Sequence, residues 1–301
     1  MSLLPWFRLI LCCCFFSPLA LLAQDSHLAE AAAPIPALDN YFKESLNTRD
    51  GLPHNTINSI IQSKDGYLWF ATWEGAARYD GRNFTVFGRS SLTGLPDSGV
   101  RVFNLDRNGD LIMGGSRGGM ALVKDGQWQS LPAVEKLIND LTRDASGRLW
   151  IATEGGGLVL QHPDGQTRHF TAADGLTPTV IYRLLDDLQG KIWLATQQGL
   201  YWFDPQLANP EFHLAGPEQG MPLTSIFALA LTSDRRLLVG TEQGAFQLKD
   251  NAFLSLDPGL TGVAVSVMML DQQQQIWLGT INQGVMRLGT LGLEQLTVAD
   301  G

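Results

Sequence analysis

The sequence predicts an all-β fold, a β-propeller of four-stranded blades, on three observations. A motif of Gly, aliphatic, Trp and Thr recurs six times. Its copies stand about 40 residues apart, the period of a propeller blade. Glycine-bearing turn signals bracket every copy, and the chain holds 32 glycines in 301 residues.

Four copies are complete: Asp65-Gly66-Tyr67-Leu68-Trp69-Phe70-Ala71-Thr72, Ser146-Gly147-Arg148-Leu149-Trp150-Ile151-Ala152-Thr153, Gln189-Gly190-Lys191-Ile192-Trp193-Leu194-Ala195-Thr196 and Gln275-Ile276-Trp277-Leu278-Gly279-Thr280. Two are degenerate, with Ile112 or Leu238 at the Trp position. Anchored there, the copies fall at 69, 112, 150, 193, 238 and 277.

Each unit reads as four strands. The first is apolar, as in Ile57–Ile61 or Ile181–Leu185, and a tight turn such as Lys64-Asp65-Gly66 follows it. The second carries the Trp. A second glycine turn (Glu74-Gly75, Gly155-Gly156, Gln198-Gly199) leads to a short third strand, as in Ala76–Tyr79. The fourth is aromatic or aliphatic, as in Phe84–Phe87 and His169–Thr171. Such a sheet cannot bury both faces alone, so neighbouring blades must pack face to face. Burying a large side chain is worth about 1.5–3 kcal/mol, which makes Trp69, Trp150, Trp193 and Trp277 packing residues. Thr72, Thr153, Thr196, Thr241 and Thr280 are expected to tie the following turn through their hydroxyls.

The propeller is expected over residues 41–301. Tyr41–Gly51 reads as a fourth strand with no blade before it, a ring-closing strand. The last residues, Leu296–Gly301, match the segment before the fourth repeat, so the chain reads as C-terminally truncated. Six repeats plus that strand predict a ring that is seven-bladed when complete; a six-bladed ring with a redundant strand is the alternative.

Before the repeats, residues 1–23 read as a signal peptide: Arg8, an apolar stretch from Leu9 to Leu22, then Ala23. The stretch is short for a membrane span of about 20 residues; a retained anchor is the alternative. Residues 24–40 read as a flexible leader. All three cysteines, Cys12, Cys13 and Cys14, lie in the apolar stretch, so the mature chain has no disulfide or thiolate site. Export to the periplasm is the expectation. The net charge of −9 repels phosphate backbones, and no basic run offsets it, which argues against nucleic acid.

Gly51-Leu52-Pro53-His54-Asn55-Thr56-Ile57, followed by Asp65-Gly66-Tyr67-Leu68-Trp69-Phe70-Ala71-Thr72-Trp73-Glu74-Gly75, resembles the two-component regulator propeller repeat. The match is specific in repeats one, three, four and six. The resemblance implies a periplasmic sensor domain, the N-terminal part of a transmembrane signalling protein. Its cytoplasmic output would be a hybrid histidine kinase or a GGDEF diguanylate cyclase, and membrane contact would come only through a downstream segment. It implies a small solute or glycan as ligand, and a homodimer of the parent protein because such outputs act in pairs.

In a four-stranded blade, the loop entering strand one and the turn between strands two and three share one end. That end should gather His54, Asn55, Trp73, Glu74, Arg117, Glu154, Gln197, Gln198, Glu242, Gln243, Asn282 and Gln283. Singly, each is an ordinary exposed turn residue. As a ring they form the candidate ligand site, suited to hydroxyl-rich or zwitterionic solutes. No catalytic constellation, metal-ligand spacing or cofactor fingerprint is present; Asp106–Asp110 lacks the bidentate Glu of a calcium loop and reads as a β-turn. Two alternatives remain: an exported propeller enzyme of lyase type, since the repeat also resembles streptogramin lyase propellers, and a protein-interaction scaffold. For the enzyme, only His54 of the histidines falls on the right face.

Overall fold

The computed structural model describes residues 35–88, 95–124, 126–290 and 292–300. The expected signal peptide, and the leader up to residue 34, lie outside the described residues. From residue 37 onward the chain forms six antiparallel sheets of four strands, each built from consecutive strands: a six-bladed β-propeller. Blade 1 comprises Ile57–Gln62, Leu68–Thr72, Gly75–Tyr79 and Phe84–Phe87. The first strands of the next five blades are Val100–Leu105, Ile138–Arg143, Ile181–Asp186, Ile226–Leu231 and Val265–Leu270. Successive first strands lie side by side and surround the central channel, with the fourth strands outermost.

Local chemistry explains the repeated motif. The first turn of a blade needs one left-handed residue. Blades 1 to 3 supply Gly66, Gly109 and Gly147, whereas blades 5 and 6 place Arg235 (φ +62°) and Gln274 (φ +61°) there. Each of those five residues donates its N–H three residues back, as Gly66 does to Ser63 O at 2.8 Å and Arg235 to Thr232 O at 2.8 Å. A side chain in this conformation costs about 1–2 kcal/mol, so blades 5 and 6 carry local strain at this turn. The glycine opening the third strand answers to contact as well as to φ. A Cβ on Gly118 (φ +88°) would lie 1.6 Å from Val134 O, and one on Gly157 (φ +72°) 2.5 Å from Phe170 O.

Every repeated Trp also has a polar anchor six residues back, on the first turn. Trp150 Nε1 donates to Asp144 Oδ2 (2.9 Å), Trp193 to Asp187 Oδ2 (3.1 Å), Trp277 to Asp271 Oδ2 (2.8 Å) and Trp69 to Ser63 Oγ (3.0 Å). Buried indole N–H groups require such a partner. The other oxygen of each aspartate accepts turn N–H groups, as Asp144 Oδ1 does from Ser146 and Arg148. Asp106 makes the same turn, accepting from Asn108 N and Asp110 N, so this segment is a β-turn. The threonine expectation holds in all five copies. Thr72, Thr153, Thr196, Thr241 and Thr280 donate to Gly75, Gly157, Gly199, Gly244 and Gly284 O at 2.7–3.0 Å.

The core lies between blades. One cluster joins Trp150, Leu158 and Phe170 of blade 3 to Ile181, Ile192 and Phe203 of blade 4. Equivalent clusters join blades 1 and 2, 2 and 3, 4 and 5, and 5 and 6.

Residues 41–47 form no strand, which departs from the ring-closing strand expected over Tyr41–Gly51. The chain makes a 3₁₀ turn at Leu38–Asn40, runs extended, and turns again at Thr48–Asp50. In blade 6 the outer edge of the third strand is already paired by Gly292–Leu296, so the incoming segment docks by side chains instead. Leu38 is 1% exposed and its N–H donates to Glu294 Oε1; Tyr41 Oη accepts from Arg287 Nη1 at 3.1 Å. The second turn is nonetheless part of the repeat. Asn47 and Asp50 cap it reciprocally, as Thr171 and Asp174 cap the turn after blade 3.

Candidate functional site

All six first strands carry a β-bulge at their second residue. The register jumps from Ile57 to Ser59, from Val100 to Val102 and from Ile138 to Asp140, and identically in blades 4 to 6. A bulge leaves one residue unpaired and re-aims its side chain, a device common beside binding sites. Here the extra residues are Asn58, Arg101, Asn139, Tyr182, Phe227 and Ser266. They sit at the end of the channel where the loops entering the blades meet the turns between second and third strands.

Four of these side chains and their neighbours form an arc across blades 1 to 5. The Arg101 guanidinium lies 5.7 Å from the centre of the Trp73 ring, in cation–π range. Asn139 Nδ2 donates to Glu154 Oε2 (2.8 Å) and to Ile181 O (3.0 Å). Arg183 Nη1 donates to Asn139 O and Tyr182 O. The Tyr182 and Phe227 rings are 5.6 Å apart. Burial, reinforced by repulsion from Arg183 and opposed by Glu154, lowers the Arg101 pKa from its usual value. Burial, then the Glu154 carboxylate, raises that of Tyr182.

Below this arc, a cavity of about 930 Å³ follows the channel towards the opposite end. Its blade 2 to 4 side is polar, with Asn104, Asp140, Arg143, Arg183 and Asp186; its blade 5 and 6 side is apolar, with Leu229, Leu231, Val267 and Met269. Asp140 is 5% exposed. Its carboxylate accepts the N–H groups of Leu141 (2.8 Å) and, in the next blade, Leu184 (2.9 Å). Desolvation raises its pKa, against the attraction of Arg183. Among the described residues, no group of three or more His, Cys, Asp or Glu could hold a metal ion.

The twelve residues expected from sequence lie on the loops and turns of the rim, as the strand pairing requires. None lines the cavity. Trp73 and Glu154 belong to the arc. Several others are engaged locally: His54 Nδ1 accepts from Thr56 N, Asn55 Oδ1 from Thr48 N, and Glu242 Oε2 from Thr224 Oγ1. Arg117 is held by Asp97 and Ser98. Glu74, Gln197, Gln198, Gln243, Asn282 and Gln283 are rim turn residues outside the arc's contacts. The sequence reading missed Arg101, Asn139, Tyr182, Arg183 and Phe227. For all but Arg183, the third residue of its strand, the available signal was a polar or aromatic second residue in a strand whose first residue is always Ile or Val.

Residues 51–74 match the family model described as two component regulator propeller. The chain carries this propeller repeat. Among solved structures it is similar to the extracellular domain of the hybrid two component system BT3049 from B. thetaiotaomicron (24% identity, TM-score 0.65, 77% of this chain and 33% of that one). The extracellular domain of the hybrid two component system BT4673 from the same organism is also similar (17% identity, TM-score 0.66, 81% and 37%). This chain thus spans about a third of those two domains. Virginiamycin B lyase from Staphylococcus aureus shares the fold at 12% identity (TM-score 0.61, 80% and 84%). A comparison with curated proteins finds no match.

Proposed function

We propose that this chain is the exported, ligand-sensing propeller of a transmembrane signalling protein. The supporting observation is the arc of bulged side chains at one end of the channel, with Trp73, Tyr182 and Phe227 offering ring faces and Arg101, Asn139 and Glu154 offering polar groups. Such a surface, half apolar and half hydrogen-bonding, fits a small solute or glycan fragment. The repeat and the two extracellular two-component domains support a sensor role. The proposal extends to a hybrid histidine kinase or diguanylate cyclase output, a parent protein that pairs, and a periplasmic location after signal-peptide cleavage. The deciding experiment is a thermal-shift and calorimetric screen of the purified propeller against mono- and oligosaccharides and their acids. A hit lost on Trp73→Ala and Tyr182→Ala, with folding intact, supports the proposal. A hit untouched by both places the ligand elsewhere and overturns this site.

A further inference from the structure

We infer that the arc binds an organic carboxylate, with its acid group on Arg101 and its ring against Trp73 and Tyr182. The inference rests on the ligand-sensing reading above and names the ligand class for that site. Among the described residues, Arg101 makes no hydrogen bond and no ion pair; its one close partner is the Trp73 ring. A half-buried arginine ordinarily finds a carboxylate or carbonyl, because its five donors lose water on burial. Glu154, the carboxylate that acts on Arg101 through space, forms no ion pair with it and accepts from Asn139 Nδ2 instead.

Charge points the same way. Two guanidinium groups, Arg101 and Arg183, are close enough to repel, and Glu154 alone opposes them at Arg101. Arg183 also faces the Asp140 carboxylate, so Arg101 is the guanidinium of the pair that Glu154 alone opposes. Arginine meets a carboxylate through two parallel hydrogen bonds, a geometry an ammonium cannot offer.

Two further groups lack partners. The Tyr182 hydroxyl makes no hydrogen bond among the described residues. Asn139 is 2% exposed, and its Oδ1 is a buried acceptor without a donor. Such an orphan is normally met by an ordered water or a ligand group. A hydroxylated ring bearing one carboxylate, such as a uronic acid, would supply the anion, the flat face and the donor together. An aromatic acid would supply the first two only.

Calorimetry and ligand-observed NMR with four probes test this: galacturonate and benzoate against the uncharged galactose and benzyl alcohol. Each acid is expected to bind more tightly than its neutral partner. Arg101→Gln should weaken the acids about tenfold or more and leave the neutral probes unchanged, as loss of a charge-assisted hydrogen bond predicts. Arg101→Lys, which keeps the charge but loses the fork, should fall between. Arg82→Gln, on an exposed turn at the opposite end, should change nothing. Galacturonate binding better than benzoate identifies an acidic sugar; the reverse order identifies an aromatic acid. Galactose binding as well as galacturonate would overturn the carboxylate inference and leave the sensor reading standing. Failure of all four probes and of the saccharide screen would overturn both.

Discussion

Trp150 and Trp277 occupy the same place in the same motif, yet their surroundings differ. Both donate to an aspartate six residues back, at 2.9 and 2.8 Å. Trp150 is fully buried between Phe170 (5.8 Å) and Phe203 of the next blade (4.6 Å). Trp277 is half-buried, and its aromatic partner is Tyr41 from the chain's entry segment, at 5.8 Å edge to face. Around it Val267, Met269 and Val285 are 50, 57 and 43% exposed, and in blade 1 Ile60 is 57% exposed. The bond inside the blade is local and forms in either setting. The burial depends on a neighbouring blade, so one sequence motif has two energies.

The largest test of this difference is truncation of the two indoles. Trp150→Ala should destabilise by about 3–5 kcal/mol, as for large aromatic core residues. Trp277→Ala should cost about 1–2 kcal/mol, because much of its surface already meets water. Urea denaturation of both variants measures this, and equal losses would remove the distinction. Next come the anchors. Asp144→Ala unpairs Trp150, strips Arg148 of its carboxylate partner and opens the turn, at about 2–3 kcal/mol. Asp271→Ala, beside a half-exposed indole, should cost about 1 kcal/mol by the same measurement.

A pH series sharpens the contrast further. Asp140 in blade 3 stands where blade 6 has Val267, and desolvation raises its pKa above the unfolded value. A raised carboxyl pKa means the folded state holds the proton more tightly. Its contribution to stability is therefore complete below the unfolded pKa of about 3.9 and is lost as pH rises through the folded pKa. Melting curves should show the advantage of wild type over Asp140→Asn shrinking as pH rises from acid towards neutral. A constant difference would refute it. The smallest effect expected is a gain: Arg235→Gly relieves a left-handed side chain and should add about 1 kcal/mol. Gly66→Arg should lose a similar amount.

Much of the fold was legible because blade-forming signals are local. Period, strand order, turn glycines and the threonine ties all depend on residues within one repeat. The site was legible only at its rim. Turn positions such as Trp73 and Glu154 announce themselves by neighbouring glycines. Arg101, Tyr182 and Phe227 lie within strands, where alternation assigns a side chain to a blade face. The bulge that turns them to the channel mouth is visible only in the pairing register. Conversely, His54, Asn55 and Arg117 looked available in sequence and are engaged by Thr56, Thr48 and Asp97. The entry segment misled for a related reason: Tyr41–Gly51 resembles what precedes other blades, but the edge of blade 6 was already filled by Gly292–Leu296.

By itself the sequence determined six four-stranded sheets, the threonine tie of the turn after each second strand that carries one, and the end at which loops gather, since these follow from hydrogen bonds spanning a few residues. Tertiary structure alone decided which apolar faces are covered, and which side chains meet around the channel. Both depend on first strands some 40 residues apart lying side by side, a distance over which no local bond constrains the chain.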